Sequence, residues 1–129
     1  MGAMQRNKGA RGERELFCLL SDELGFAVTR NLSQTRDAGC DSLSIPGFVV
    51  EVKRQEQPFS YAWMAQAVAA VTNGEIPVVF HRRNRHPWFA YLRTADLMGD
   101  GAYTGCIRLD FADAVIFLRE HMHGERKCA

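Results

Sequence analysis

Asp41-Ser42-Leu43-Ser44-Ile45-Pro46-Gly47-Phe48-Val49-Val50-Glu51-Val52-Lys53 is the stretch from which the rest of the chain can be read. Pro46-Gly47 is a turn signal, because proline presets φ at one turn position and glycine accepts a positive φ at the next. It separates two apolar-rich runs, so residues 41–45 and 48–54 read as the strands of a hairpin. Successive strand residues point to opposite faces. Glu51 and Lys53 therefore stand side by side on one face, while Val50 and Val52 face the other way, into a core.

A carboxylate can hold a metal ion and a neighbouring ammonium can stabilise developing negative charge, a combination suited to phosphodiester hydrolysis. A surface pair on an edge strand explains Glu51 and Lys53 equally well when they are taken alone. Asp41 joins them only if it reaches the same face. Directly opposed residues of an antiparallel pair point the same way. A two-residue loop at Pro46-Gly47 sets Asp41 opposite Val52, on the wrong face, whereas a three-residue loop or a bulge sets it opposite Glu51 or Lys53. The expectation is a wider turn or a bulge. Asp37, in the preceding polar loop, is a competing acid.

Upstream, residues 10–24 read as a helix whose apolar stripe is Leu16, Phe17, Leu20 and Leu24, stopped by Gly25. Glu13 continues that stripe, and a carboxylate facing a core is costly unless it has a partner such as a metal. A first-turn acid favoured by the helix dipole is the other explanation of Glu13. Glu15 turns away from it. Residues 26–30 read as a short strand and 31–39 as a polar loop. Downstream, 61–71 is an Ala-rich helix ending near Asn73-Gly74. Residues 77–81 are a buried-type strand, with 88–92 as its partner across a basic turn. Residues 94–98 read as a short helix, 99–105 as a loop, and Asp110 caps a last helix over 111–122. The order α-β-β-β-α-β-β-α predicts an α/β domain, a mixed sheet flanked by helices.

At 129 residues, 47% hydrophobic and 24% charged, the chain is sized and composed for one globular domain. It is taken as residues 5–123, with 1–4 as a cloning remnant and 124–129 as a polar tail. A formal net charge of +1 argues against bulk attraction to polyanions, so the charge matters where it clusters. Arg6, Lys8, Arg11 and Arg14 crowd the start, and Arg82, Arg83 and Arg85 crowd the turn between two strands. Most of the basic residues are Arg, which grips phosphate in bidentate fashion. The turn cluster suits phosphates beside the site, with a solvated hairpin tip as the alternative. Three carboxylates and a lysine suit magnesium or manganese better than zinc. Cys18, Cys40, Cys106 and Cys128 form no CxxC pair, which favours reduced thiols in a cytoplasmic setting. No apolar run reaches the ~18 residues of a membrane span. Trp88 reads as a core aromatic, with base stacking as the alternative, and His121 and His123 read as solvent-facing.

The run Lys8-Gly9-Ala10-Arg11-Gly12-Glu13-Arg14-Glu15-Leu16, then Gly25-Phe26-Ala27-Val28-Thr29-Arg30, then Asp41, then Glu51-Val52-Lys53 resembles the archaeal-type Holliday-junction resolvases of the PD-(D/E)XK nuclease superfamily. Phage-encoded relatives look closer still over 30–41 and 51–56. The resemblance covers residues 6–56 well and the remainder in outline. It implies a restriction-endonuclease-like fold with an α-β-β-β-α-β core. It implies that Glu13, Asp41 and Glu51 bind metal, that the Val52 carbonyl is a further ligand, and that Lys53 is catalytic. Arg30 would lie near junction DNA, and Gln66 would be a supporting polar residue. Lys8, Arg11, Arg14, Arg36 and Arg54 would join Arg30 in holding phosphates. Family members use magnesium, form homodimers and cleave branched DNA. The superfamily's proline before the aspartate is replaced here by Cys40. A nuclease of the same superfamily acting on other DNA, for restriction or end-processing, and a non-catalytic DNA-binding relic are the competing readings.

Overall fold

The computed structural model describes the backbone of residues 3–30 and 42–127, and the side chains of 8–28 and 45–122. Helix α1 runs over Ala3–Leu24. It starts well before the expected residue 10, because residues 5–9 are polar or glycine, have no apolar spacing and leave no periodic signal. Leu16 and Leu20 are fully buried, and Phe17 and Leu24 pack against the same cluster. Gly25 ends the helix as expected, with φ 82° and its N–H bonded to the Ser21 carbonyl at 3.0 Å. The Ser21 hydroxyl accepts from the Val28 N–H at 2.9 Å and so aims the chain toward the sheet.

Strand β1, Thr29–Arg30, is shorter than expected. Strands β2, Ser42–Ile45, and β3, Phe48–Arg54, form the hairpin. Ile45 pairs with Phe48 and Ser42 with Glu51, so the loop is the two residues Pro46-Gly47. The expected wider turn or bulge is therefore not present. Proline followed by Gly47 at φ 86° has the residue types and the positive φ of a type II turn, which closes without an extra residue.

Helix α2, Tyr61–Ala69, starts at Ser60, whose side chain accepts from the Ala62 N–H at 3.2 Å. Then follow β4, Ile76–Arg82, and β5, Phe89–Arg93. The short α3, Thr94–Met98, lies where expected. Strand β6, Cys106–Asp110, was not anticipated, and α4, Phe111–Lys127, continues past Gly124 into the expected tail. The sheet order is β1-β2-β3-β4-β5-β6, and every pair is antiparallel except β3–β4. A parallel pair needs a crossover, and α2 supplies it. The chain is thus α/β, a mixed sheet flanked by helices.

The two faces of the sheet have separate cores. Val50, Val52, Val78, Phe80, Ala90 and Leu92 pack with Leu16 and Leu20 of α1 and Ala114 and Leu118 of α4. The alternate residues face α2, where Val79 packs with Trp63, Met64 and Ala67. Trp88 is a core residue, 4% exposed, so the stacking alternative is set aside. Among the described residues, no helix is long and apolar enough to cross a membrane.

Candidate active site

Strand β3 supplies the centre. Its even residues enter the α1–α4 core, so Glu51 and Lys53 point to the α2 face, as the alternation required. Glu51 is 1% exposed, and Lys53 Nζ lies 3.9 Å from its Oε1. Trp63, from α2, holds its ring 6.0 Å from Lys53 Nζ. Gln66 follows Trp63 by about one helical turn, half-buried on the same helix.

Across the parallel ladder, Lys53 is level with His81. His81 is buried, its Nε2 is 3.0 Å from the Gln55 carbonyl, and Trp63 meets its ring edge-on at 4.9 Å. Burial pushes its pKa down and the charge of Arg83 adds to that, against the opposing bond to Gln55. His81 is therefore a neutral wall beside Lys53, with Nε2 donating to Gln55. The sequence placed it at the end of a buried-type strand, with no link to Lys53. Its in-phase position with Lys53 emerges only from the β3–β4 register.

The backbone of β3 matters as well. The Gly47 carbonyl accepts from Ile76 of β4, so odd-numbered residues of this strand turn their backbone groups to β4 and even-numbered ones to β2. The described ladder with β2 stops at Ser42↔Glu51. Beyond that pair, the Val52 N–H and carbonyl point to the β2 side.

Glu13 is buried, 5% exposed, on α1. That helix packs across the face opposite to the one Glu51 and Lys53 use. A site containing all three has to be built around the edge of β3 at Val52, which lies between Glu51 and Lys53. Glu13, Glu51 and Gln66 each make interactions of their own. Asp41, Asp37, Cys40 and Arg36, and the side chain of Arg30, lie outside the described residues. Among the described residues, no three His, Cys, Asp or Glu side chains gather to hold a metal ion by themselves. The same residues show one selective feature. The buried charged or titratable polar side chains are Glu13, Glu51 and His81.

The basic residues divide into two groups. Arg82 donates to both Glu15 oxygens at 2.8 and 2.9 Å and, through Nε, to the His86 carbonyl at 2.8 Å. Lys8 pairs with Glu56, and Arg54 with Glu56 and Asn84. These bonds fasten the turn between β4 and β5 to α1 and to the end of β3. Lys8, Arg54 and Arg82 are thus engaged within the protein, whereas Arg11, Arg14, Arg83 and Arg85 are exposed. The acids that do the fastening, Glu15 and Glu56, carried no signal in the sequence, because their partners are far away in the chain.

Comparison with protein-family models, with curated proteins and with solved structures gives no match for this chain.

Proposed function

We propose that this chain is a magnesium-dependent endonuclease of restriction-endonuclease-like fold that cuts phosphodiester bonds in branched DNA, as Holliday-junction resolvases do. One observation carries the reading. Of the many acids in the chain, the two that the described fold buries are Glu13 and Glu51, and both belong to the motif quoted from the sequence. A buried carboxylate is costly, and a folded chain keeps one where charge or hydrogen bonds compensate it. The register adds support, since it turns the Val52 carbonyl to the β2 side of the strand.

The donor set is all oxygen and fits a hard divalent cation such as magnesium or manganese. Glu51, the Val52 carbonyl and Glu13 would hold it; the two-residue turn does not meet the condition on which Asp41 was to join them. When bound, it would polarise the scissile phosphate and acidify a water. Lys53, set between Glu51 and the Trp63 ring, orients that water or neutralises charge developing on the phosphate. The neutral His81 beside it leaves Lys53 without a second cation on that side. Arg11, Arg14, Arg83 and Arg85 hold flanking phosphates and position the duplex without reading its sequence. A homodimer would bring two such sites to the two strands of a junction.

The test is cleavage of a four-way junction, a linear duplex and a single strand, each with magnesium. The reading predicts the fastest cutting on the junction. Equal rates on all three would refute the branched-DNA preference, and no cutting of any would refute the nuclease.

A further inference from the structure

Just beyond Lys53 in the chain, donors from three separate elements converge on the Glu56 carboxylate. Lys8 Nζ of α1 reaches it at 2.5 Å and Arg54 Nη1 of β3 at 3.4 Å. The Asn84 backbone N–H, in the turn between β4 and β5, lies 3.1 and 3.0 Å from its two oxygens. The donors are held from behind. Arg54 Nη2 donates to Asn84 Oδ1 at 2.9 Å, and Arg54 packs against α1 at Gly12. The Lys8 and Arg54 side chains are 25% and 12% exposed, while that of Glu56 is 48% exposed. The cradle is thus part of the fold and its occupant is a side chain on the surface. The Lys8 bond, helped by the Asn84 amide and Arg54, lowers the Glu56 pKa to about 2.

Two cations and a backbone N–H around one oxyanion are what proteins present to a phosphodiester. The neighbouring Glu15–Arg82 pair differs: the contacts to its carboxylate are those of a single guanidinium, which also braces the turn at His86. We infer that the Lys8–Arg54–Asn84 cradle is a subsite for a backbone phosphate of the nucleic acid, and that Glu56 is its built-in occupant, displaced when the strand binds. The inference rests on the DNA-cleaving reading above and deepens it. Glu56 then acts as a selectivity device. A strand that gains nothing elsewhere does not displace it, so loosely fitting DNA is held weakly.

Binding of a labelled four-way junction and a labelled linear duplex is measured in EDTA, where no cutting intervenes, over a series of salt concentrations. The proteins are the wild type, Glu56→Gln, Lys8→Ala and the double variant. Gln keeps the size and an acceptor for Asn84 but removes the charge. Glu56→Gln is expected to bind about three- to tenfold tighter at low salt, with the slope of log K against log salt steeper by about 0.9 to 1.8 as one or two cations become available to phosphate. The gain is expected to be larger on the linear duplex than on the junction. Lys8→Ala is expected to remove much of that gain in the Gln background and to weaken binding by a smaller factor in the wild type, where Glu56 competes with the strand for the same cation. Equal or weaker binding by a folded Glu56→Gln, or an equal effect of Lys8→Ala in both backgrounds, overturns the inference. Glu56→Ala reads the same contrast if Gln disturbs the turn. Binding by the wild type with no gain in either variant defeats this inference alone. No DNA binding by any of the proteins defeats the nuclease reading as well.

Discussion

Gly12→Ala should loosen the seat of α1 on β3. A methyl at Gly12 would sit 2.6 Å from Arg54 Cβ, 2.7 Å from Cγ and 3.1 Å from Cδ. Carbon atoms in contact prefer about 3.5–4.0 Å, so the overlap is close to a full ångström. Arg54 Cβ is fixed to the backbone of a central strand and cannot swing aside. Relief has to come from lifting α1, and with it Lys8, Glu13 and Glu15. Overpacking of this kind costs about 1–3 kcal/mol, and alanine returns about 0.8–1 kcal/mol over glycine in a helix. The net loss is about 0–2 kcal/mol, which lowers the thermal midpoint of a chain this size by up to about 8 °C. Gly9 on the same helix is the control, since a methyl there meets nothing within 4 Å. Gly9→Ala should therefore gain up to about 1 kcal/mol. Thermal and urea unfolding of both variants read the difference. Gly12→Ala as stable as Gly9→Ala would refute the close packing of α1 on β3.

His81 has a depressed pKa in the folded state, so below its ordinary value of about 6.5 the unfolded chain binds the proton more readily. Stability contributed by the neutral ring is present above that value and is lost on acidification; the urea midpoint should fall between about pH 7 and pH 5.5, and His81→Asn should flatten that fall. Trp88 is buried, and its Nε1 has no hydrogen-bond partner among the described residues. Removing an unsatisfied N–H recovers about 1–3 kcal/mol, so Trp88→Phe should stay within about 1 kcal/mol of the wild type by urea unfolding, whereas Trp88→Ala should lose about 3–5 kcal/mol. Arg83→Ala and Arg85→Ala should each weaken DNA binding similarly on all sequences and shallow the salt slope by about one; a sequence-dependent effect would contradict their role as phosphate contacts.

The features carried by local spacing were legible. The alternation of β3, the stripe of α1 and the stop at Gly25 all follow from residues within a few positions of one another. Strand β6 was missed although Ile107, Arg108, Leu109 and Asp110 alternate, because a short run between a loop and a helix cap gives little to count. The turn at Pro46-Gly47 is instructive in a different way. The wider loop was expected because the site needed Asp41 on the face of Glu51, and the residues themselves favoured the tight turn that formed. The remaining features are non-local. Nothing near Glu56 or Glu15 in the chain announces Lys8 or Arg82 as a partner, and those bonds decide which cations are exposed. The neutral His81 beside Lys53 required the parallel register of β3 on β4, which the sequence does not encode locally.

Cleavage by Lys53→Ala, measured beside binding of the same DNA, tests the central claim most directly. The account predicts that the wild type cuts DNA with magnesium, and that the variant binds it with similar affinity but cuts at least about 100-fold more slowly, the scale of losing one preorganised charge at the reacting phosphate. Unchanged cutting by folded Lys53→Ala would contradict a site centred on Glu51 and Lys53.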